Sequence, residues 1–387
     1  MKIIQYCQHV LGMGHFFRSL EISRALEDEQ VIFVAGGPRP EQELPENVDY
    51  FQLPGLCMNE NFGGLIPTDE ERSLDEVKEE RTETLKKIFD QENPDIFLIE
   101  LFPFGRKAFR FELLPILDAI KEGKYGDVKV VCSLRDILVE RDDDGKHENR
   151  CVKYLNKYFD LLLIHSDPKI AKLDETFSVI DDISIPLIYT GFAARKPRIN
   201  VRSEIRKKRG IADDVNLMVA SAGGGKVGGS LLDAILGGYA KLRPKKTELL
   251  ILTGPFLDQH FFDELVNKAA TISGVTIEKF APDFTDLLMG ADCMISMAGY
   301  NTCMDILTTS IPSAVFPFAQ NHEQRMRAEK LAKYIPLKIL NNEDLNVSDM
   351  KNIIEDLLAQ GRTTAVHNIN LDGGLDSARA IQKIGNN

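Results

Sequence analysis

The sequence predicts an α/β protein in which two Rossmann-like domains, each built on a parallel sheet, face each other across a cleft. Three observations carry this. The chain has 387 residues, too many for one core and suited to two domains of roughly 100–200 residues each. It opens on a strand, a glycine turn, a helix and a strand, and the same order restarts near residue 216. Between these points short apolar runs alternate with helical periodicity, as in a parallel sheet covered by helices.

Lys2 to Val10 reads as a strand, Leu11-Gly12-Met13-Gly14-His15 as a glycine turn, and Phe16 to Glu27 as a helix. Phe17, Leu20 and Ala25, with Phe16 and Ile22 alongside, give that helix an apolar stripe near the 3.6 period. Gln30 to Ala35 is the next strand. Pro, Gly and Asn break the pattern from Pro40 to Thr68, apart from a short strand at Val48 to Leu53. Ser73 to Asp90 has the spacing of a solvated amphipathic helix. Asp95 to Leu101 is a buried strand that delivers Glu100 to the carboxyl edge of the sheet. A helix at Leu113 to Lys121 leads to a strand at Val128 to Leu134, which ends at Arg135-Asp136. The charged stretch Glu140 to Asn149 reads as an exposed loop or helix start. Leu161 to His165 and Ile188 to Thr190 complete the first half.

Arg195 to Arg209 is basic and broken by proline, the composition of a linker leading into a short helix. The domains are therefore placed at residues 1–195 and 203–387. In the second, a strand at Asn216 to Ala220 runs into the turn Ser221 to Gly229 and a helix at Ser230 to Leu242. Strands follow at Leu249 to Thr253, Val275 to Lys279, Asp292 to Ser296 and Ser313 to Phe316. The closing helix, Ser377 to Ile384, can pack back on the first domain.

Bulk properties exclude several classes. A formal charge of −12 argues against nucleic acid as a partner, while an anionic small ligand needs only local donors. No run of about 18 apolar residues is present, and the N-terminus enters a strand without the regions of a signal peptide. Six scattered cysteines without a C-x-x-C pair suit buried thiols in a reducing compartment. A cytoplasmic protein is expected, with neither a metal site nor a cofactor.

Glycine turns that open helices favour anions, because free amides and the helix dipole point the same way. Gly12 to His15 is one such turn. It is not the dinucleotide fingerprint, since Phe17 stands where the third glycine would be. His15 is the candidate general base, against the alternative of a capping or hydrogen-bonded histidine. Gly223, Gly224, Gly225 and Lys226 form the stronger anion cradle, against a surface loop. Ser230 and Asp233 are expected to close it with a capping box. Ala298, Gly299 and Asp305 belong to a strand–turn–helix unit running from Asp292, and His322 and Gln324 follow its second strand. Ligands of a parallel sheet sit beyond these carboxyl ends. Asp305 can accept two ribose hydroxyls or serve as a solvated acid at the helix start. Glu100, Arg135 and Asp136 end strands of the first domain, where they face an acceptor or pair with one another.

Ser296-Met297-Ala298-Gly299-Tyr300-Asn301-Thr302 with Asp305, then Pro312, Pro317 and Gln324-x-x-Arg327-Ala328, resemble the C-terminal domain of glycosyltransferase family 28. The first half is similar to predicted glycosyltransferases of the same superfamily, through GMGHFFRSLEISRAL, PDIFLIELFPFG, SLRDIL, LLLIHSDP and YTGF. The resemblance implies a GT-B fold and a metal-independent transferase that moves a sugar from a UDP-sugar, of UDP-GlcNAc type, to a hydroxyl acceptor. It further implies that Gly223 to Gly225 hold the diphosphate, Asp305 the ribose and Gln324 the sugar, with His15 facing the acceptor and the donor phosphate. The sequence departs from the family at Asp305, where Glu is usual, and at Met297 and Glu323.

The competing readings are a UDP-sugar hydrolase of the same fold and a non-catalytic protein that binds nucleotide-sugars. A nicotinamide-dependent dehydrogenase or epimerase fits less well, for want of the fingerprint and its ribose acid. The acceptor is open between a lipid-linked molecule and a glycan. A lipid-linked one would bring peripheral contact with the inner face of the membrane. Phe102 to Lys107 with Phe109-Arg110-Phe111 is the segment best suited to that contact, against an ordinary buried loop and helix.

Overall fold

The computed structural model describes residues 1–8, 14–37, 43–58, 64–138, 145–362 and 367–386. Two compact units emerge, Met1–Ala193 together with Ile369–Asn387, and Ala194–Asn368.

The first unit contains β1 (Lys2–Cys7), α1 (Gly14–Ala25), β2 (Gln30–Ala35), β3 (Val48–Gln52), β4 (Leu56–Met58) and β5 (Leu65–Pro67). It continues with α2 (Leu74–Glu92), β6 (Ile96–Glu100), α3 (Arg110–Lys121), β7 (Lys129–Arg135), α4 (Lys146–Tyr158), β8 (Leu161–His165) and β9 (Leu187–Tyr189). Seven strands form one parallel sheet in the order β3-β2-β1-β6-β7-β8-β9. Helices on both faces explain why β1, β2, β6 and β8 are almost wholly buried apolar runs rather than alternating ones. The order reverses between β1 and β6. At such a switch point neighbouring connections leave in opposite directions and open a crevice at the carboxyl ends.

The second unit repeats the plan. It contains α5 (Arg202–Lys208), β10 (Asn216–Ser221), α6 (Gly229–Leu242), β11 (Thr247–Leu252), α7 (Gln259–Ala269), β12 (Val275–Glu278) and α8 (Phe284–Gly290). It closes with β13 (Cys293–Met297), α9 (Tyr300–Thr309), β14 (Ser313–Phe316), α10 (His322–Leu331), β15 (Leu337–Ile339) and α11 (Val347–Gln360). Its parallel sheet runs β12-β11-β10-β13-β14-β15, so the switch point lies between β10 and β13.

The last helix, α12 (Gly373–Gly385), belongs to the first unit. Ala378 and Ile381 pack among Ile3, Ile22, Leu26, Val31 and Leu98. The preceding chain is tied by Asn370, whose amide donates to Asp167 Oδ2 at 2.8 Å, and by Phe192, whose amide donates to Asn370 O at 2.9 Å.

Several expectations change. Residues 9–13, including Gly12 and Met13, lie outside the described residues, and α1 begins at Gly14, so His15 sits in its first turn. Ser230 does not cap α6. The N-cap is Gly228, at φ 107°, Ser230 lies inside the helix, and Asp233 pairs with Lys268 at 2.7 Å. The basic stretch after Arg195 leads into the short helix α5, as expected, and its arginines are in addition tied down. Arg198 bonds Asp286 at 2.6 Å, while Arg202 and Arg206 both reach Asp292. The Glu140–Asn149 stretch lies partly outside the described residues, and from Lys146 it is helix. Phe102, Phe104 and Phe109 are buried in the core, so they offer a membrane no aromatic patch. Their burial follows from composition: three phenylalanines beside a central strand stabilise by more contact area inside than at a rim.

Candidate functional site

In the first unit the switch point brings together α1, which follows β1, and the end of β6. His15 Nδ1 lies 2.9 Å from Glu100 Oε1 and 3.0 Å from Oε2. Arg18, one helical turn after His15, donates from Nη2 to Glu100 Oε1. Glu100 is 1% exposed and His15 keeps 21% of its side chain exposed. Burial alone would raise the Glu100 carboxyl, but His15, Arg18 and Arg106 beside it outweigh that and hold it well below the usual carboxylate range. Burial lowers the His15 imidazole from its ordinary value to about 4; Glu100 opposes this, and Arg106 and Arg18 add to it. His15 is therefore neutral at pH 7. A neutral ring whose Nδ1–H donates to Glu100 carries its lone pair on Nε2, the form a general base needs.

Arg135 and Asp136 end the neighbouring strand β7. Asp136 is fully buried, and Arg135 turns its Nε to Ile137 O at 3.0 Å. Glu100 thus engages α1 through His15 and Arg18. The sequence held a signal for Arg18, its i,i+3 spacing from His15, which places both on one helix face.

The second unit presents two turns at its switch point. After β10, Gly223 (φ 65°) donates its amide to Ser221 Oγ at 3.1 Å, and Gly225 (φ 87°) donates to Ala222 O at 3.3 Å. A neighbouring loop, Thr253–Leu257, props the turn from beneath: Phe256 N donates to Gly224 O at 3.0 Å. A Cβ on Gly225 would lie 2.5 Å from Thr253 O, so glycine is required there for both space and conformation. Gly224 is exposed, and a Cβ on it would find nothing closer than Phe256 Cδ2 at 3.7 Å. Lys226 is exposed beside it. The amides of Gly229, Ser230 and Leu231 open α6 and have no intrahelical partner, so positive potential collects there.

After β13, Ala298 is buried and donates to Phe316 O at 3.0 Å, while Gly299 N-caps α9 at φ −63°. A Cβ on Gly299 would meet only Thr302 Oγ1 at 3.9 Å, so neither packing nor backbone demands a glycine. The two turns touch, since a Cβ on Gly228 would come 3.0 Å from Met297 Cγ. Between them Ser296 Oγ is buried and has no hydrogen-bond partner. The sequence alone did not single out Ser296 or the Thr253–Leu257 loop; the Thr253-Gly254-Pro255 break after β11 was the available signal.

Asp305 lies in the second turn of α9, 9% exposed, and Thr285 Oγ1 of α8 donates to its Oδ1 at 2.7 Å. The solvated reading of this acid is therefore wrong: the carboxylate is buried between two helices. His322 is exposed at the first position of α10. Gln324 Oε1 accepts from Phe318 N at 2.9 Å, which orients its Nε2 amino group as the end left to donate. Among the described residues no cluster of His, Cys, Asp and Glu has the arrangement of a metal site, and no helix is long and apolar enough to cross a membrane.

Comparison with known proteins gives this geometry a lineage. Residues 219–375 match the model of the glycosyltransferase family 28 C-terminal domain. The chain is 24% identical over 178 residues to a UDP-N-acetylglucosamine--N-acetylmuramyl-(pentapeptide) pyrophosphoryl-undecaprenol N-acetylglucosamine transferase of Caldanaerobacter subterraneus, covering 45% of this chain and 48% of that one. It is 22% identical over 216 residues to the corresponding transferase 1 of Bacillus cereus, covering 54% and 56%. The chain thus spans about half the length of the curated relatives it matches. Among solved structures, Acinetobacter baumannii MurG aligns with TM-score 0.54 at 14% identity, covering 100% of this chain and 99% of that one. The UDP-GlcNAc 2-epimerase of Methanocaldococcus jannaschii aligns with TM-score 0.61 at 12% identity, covering 100% of both. An epimerase among these neighbours means that the fold alone does not define the reaction. The chain has the GT-B fold and resembles the MurG-like glycosyltransferases, and its residues 219–375 match the glycosyltransferase family 28 C-terminal domain.

Proposed function

We propose that this protein is a glycosyltransferase that passes the sugar of a UDP-sugar to a hydroxyl acceptor without a bound metal. The observation that carries it is the neutral His15 held through Nδ1 by Glu100, in a chain whose other unit is of the family 28 type. In this reading His15 Nε2 takes the proton of the acceptor hydroxyl. The oxygen bonds to the anomeric carbon as the bond from that carbon to the UDP phosphate breaks, and UDP leaves. Charge that gathers on the departing diphosphate meets the amides of the Gly223–Gly225 turn, the start of α6 and Lys226. Gln324 Nε2 donates to a hydroxyl of the donor sugar. Asp305 serves the ribose through whatever acceptor capacity Thr285 leaves to it.

The curated relatives are named for UDP-N-acetylglucosamine and a lipid-linked acceptor, so UDP-GlcNAc is the first donor to try. A lipid-linked acceptor would bring the protein to the inner face of the membrane from the cytoplasm. Thermal shift against UDP-, GDP-, TDP- and CMP-sugars tests the donor, with selective stabilisation by a UDP-sugar expected. Preference for another base would overturn that assignment. Rapid, complete release of UDP from a UDP-sugar with water alone would replace the transferase by a hydrolase.

A further inference from the structure

One buried contact in the second unit limits how much of a nucleotide's ribose the donor site can read. Thr285, in the first turn of α8, donates its hydroxyl to Asp305 Oδ1 on α9 at 2.7 Å. Thr285 is 4% exposed and Asp305 9%, so the pair lies inside the seam between the two helices. Asp305 is also one methylene shorter than the glutamate usual at this place in the family, which draws its carboxyl about 1.5 Å back toward its own helix. Gly299 N-caps that helix, and the space a Cβ would fill there is open, so a ligand can come close to the backbone where α9 begins.

The 2′ and 3′ hydroxyls of a ribose lie side by side on one edge of the ring. A carboxylate grips both by turning its two oxygens toward that edge, one for each hydroxyl. Thr285 holds Oδ1 toward α8. Burial in the seam, on a short stem, keeps the group from swinging out to meet a sugar with both oxygens.

We infer that Thr285 is a positioning residue for donor specificity: it holds one oxygen of Asp305 so that the site reads a single ribose hydroxyl, and a nucleoside diphosphate lacking the other hydroxyl binds as well as the complete one. The inference rests on Asp305 serving the donor's ribose. It widens the donor class from ribonucleotides to those with a singly deoxygenated ribose. Thr285 acts through Asp305 and need not touch the nucleotide.

The test titrates UDP, 2′-deoxy-UDP and 3′-deoxy-UDP calorimetrically into the full chain. UDP and one deoxy nucleotide should agree within about threefold, while the other binds at least about tenfold more weakly, the loss of one hydrogen bond to a charged acceptor. Thr285→Val frees Oδ1, and both deoxy nucleotides should then fall at least about threefold below UDP. Thr285→Ser keeps the hydroxyl and should behave as the wild type, which a merely structural role for the threonine methyl would not produce. The wild-type comparison stands whether or not Thr285→Val folds, and melting temperature reports on its folding. Weakened binding of both deoxy nucleotides in the wild type, or of neither, overturns the inference, as does an unchanged pattern in folded Thr285→Val. Each of these results leaves the donor reading standing, because UDP still binds. Failure of UDP itself to bind removes the donor reading and this inference with it.

Discussion

His15 and Glu100 meet at the reversal point of the first sheet, with Nδ1 2.9 Å from Oε1 and 3.0 Å from Oε2, although 85 residues of chain separate them. The carboxylate fixes which nitrogen of the ring keeps its proton. Glu100→Gln keeps the shape but lets the amide donate to or accept from Nδ1, so the ring loses its enforced tautomer. Transfer should fall by about 10²–10⁴ in kcat, the range of a lost general base, with the affinity for UDP unchanged. Steady-state kinetics with calorimetric UDP binding check this; an unchanged kcat would remove His15 from the proton transfer.

The same pair sets an acid limb. With the His15 imidazole lowered to about 4, kcat/KM should hold through pH 5.5 and fall only as pH approaches about 4. A limb at pH 6.5 or above would mean an unperturbed histidine. Stability follows a related course. Burial lowers His165 to about 3, and like His15 it stays neutral in the fold while the unfolded chain takes up a proton below about 6.5. The contribution of both is complete above about pH 6.5 and declines as pH falls from there toward 4 and 3. Urea midpoints across that range would expose a flat profile if the assignment is wrong.

Two neighbouring glycines should separate folding from binding. Gly225→Ala forces a Cβ to 2.5 Å from Thr253 O at φ 87°, and should destabilise by about 1–3 kcal/mol. Gly224→Ala meets nothing within 3.7 Å, and should stay within about 0.5 kcal/mol of wild type. It should nonetheless weaken UDP by about tenfold, the worth of about one hydrogen bond, because the added Cβ holds the diphosphate off the turn amides. Melting temperature and UDP titration read both variants. Tight UDP binding by Gly224→Ala would move the diphosphate elsewhere.

Gln324→Glu retains an oxygen for Phe318 N–H and removes the Nε2 donor. The KM for the donor sugar should rise by about tenfold, the worth of one hydrogen bond near 1–2 kcal/mol, with free UDP bound as before. An equal loss for UDP and UDP-sugar would mean that the side chain serves the nucleotide.

The tail carries its own test. Ile381 is fully buried on α12 against Ile3, Ile22 and Leu98. Ile381→Ala should cost about 2–5 kcal/mol, the range for a deleted core side chain. A change under about 0.5 kcal/mol by denaturant unfolding would mean that the helix is not part of the first unit's core.

Much of this protein is legible in one dimension. The α/β class, the paired strand–glycine–helix openings, and the placement of Glu100, Gly223–Gly225 and Ala298–Gly299 at strand ends all follow from local periodicity and turn chemistry, which act over a few residues. Local rules misjudged other segments because burial decides them. The phenylalanines at 102, 104 and 109 stood open between a membrane-facing patch and a buried loop until the core placed them, and Ser230–Asp233 matched a cap that Gly228 supplies instead. Strand order was not legible either. The adjacency of β1 with β6, and of β10 with β13, is a choice among long-range pairings that no short window encodes. That choice put Glu100 against His15 and Arg18 and set Met297 against Gly228. The sequence by itself determined which residues stand at the ends of strands; only the tertiary structure decided which ends are neighbours, because hydrogen-bonded pairing between distant segments is settled by packing rather than by local propensity.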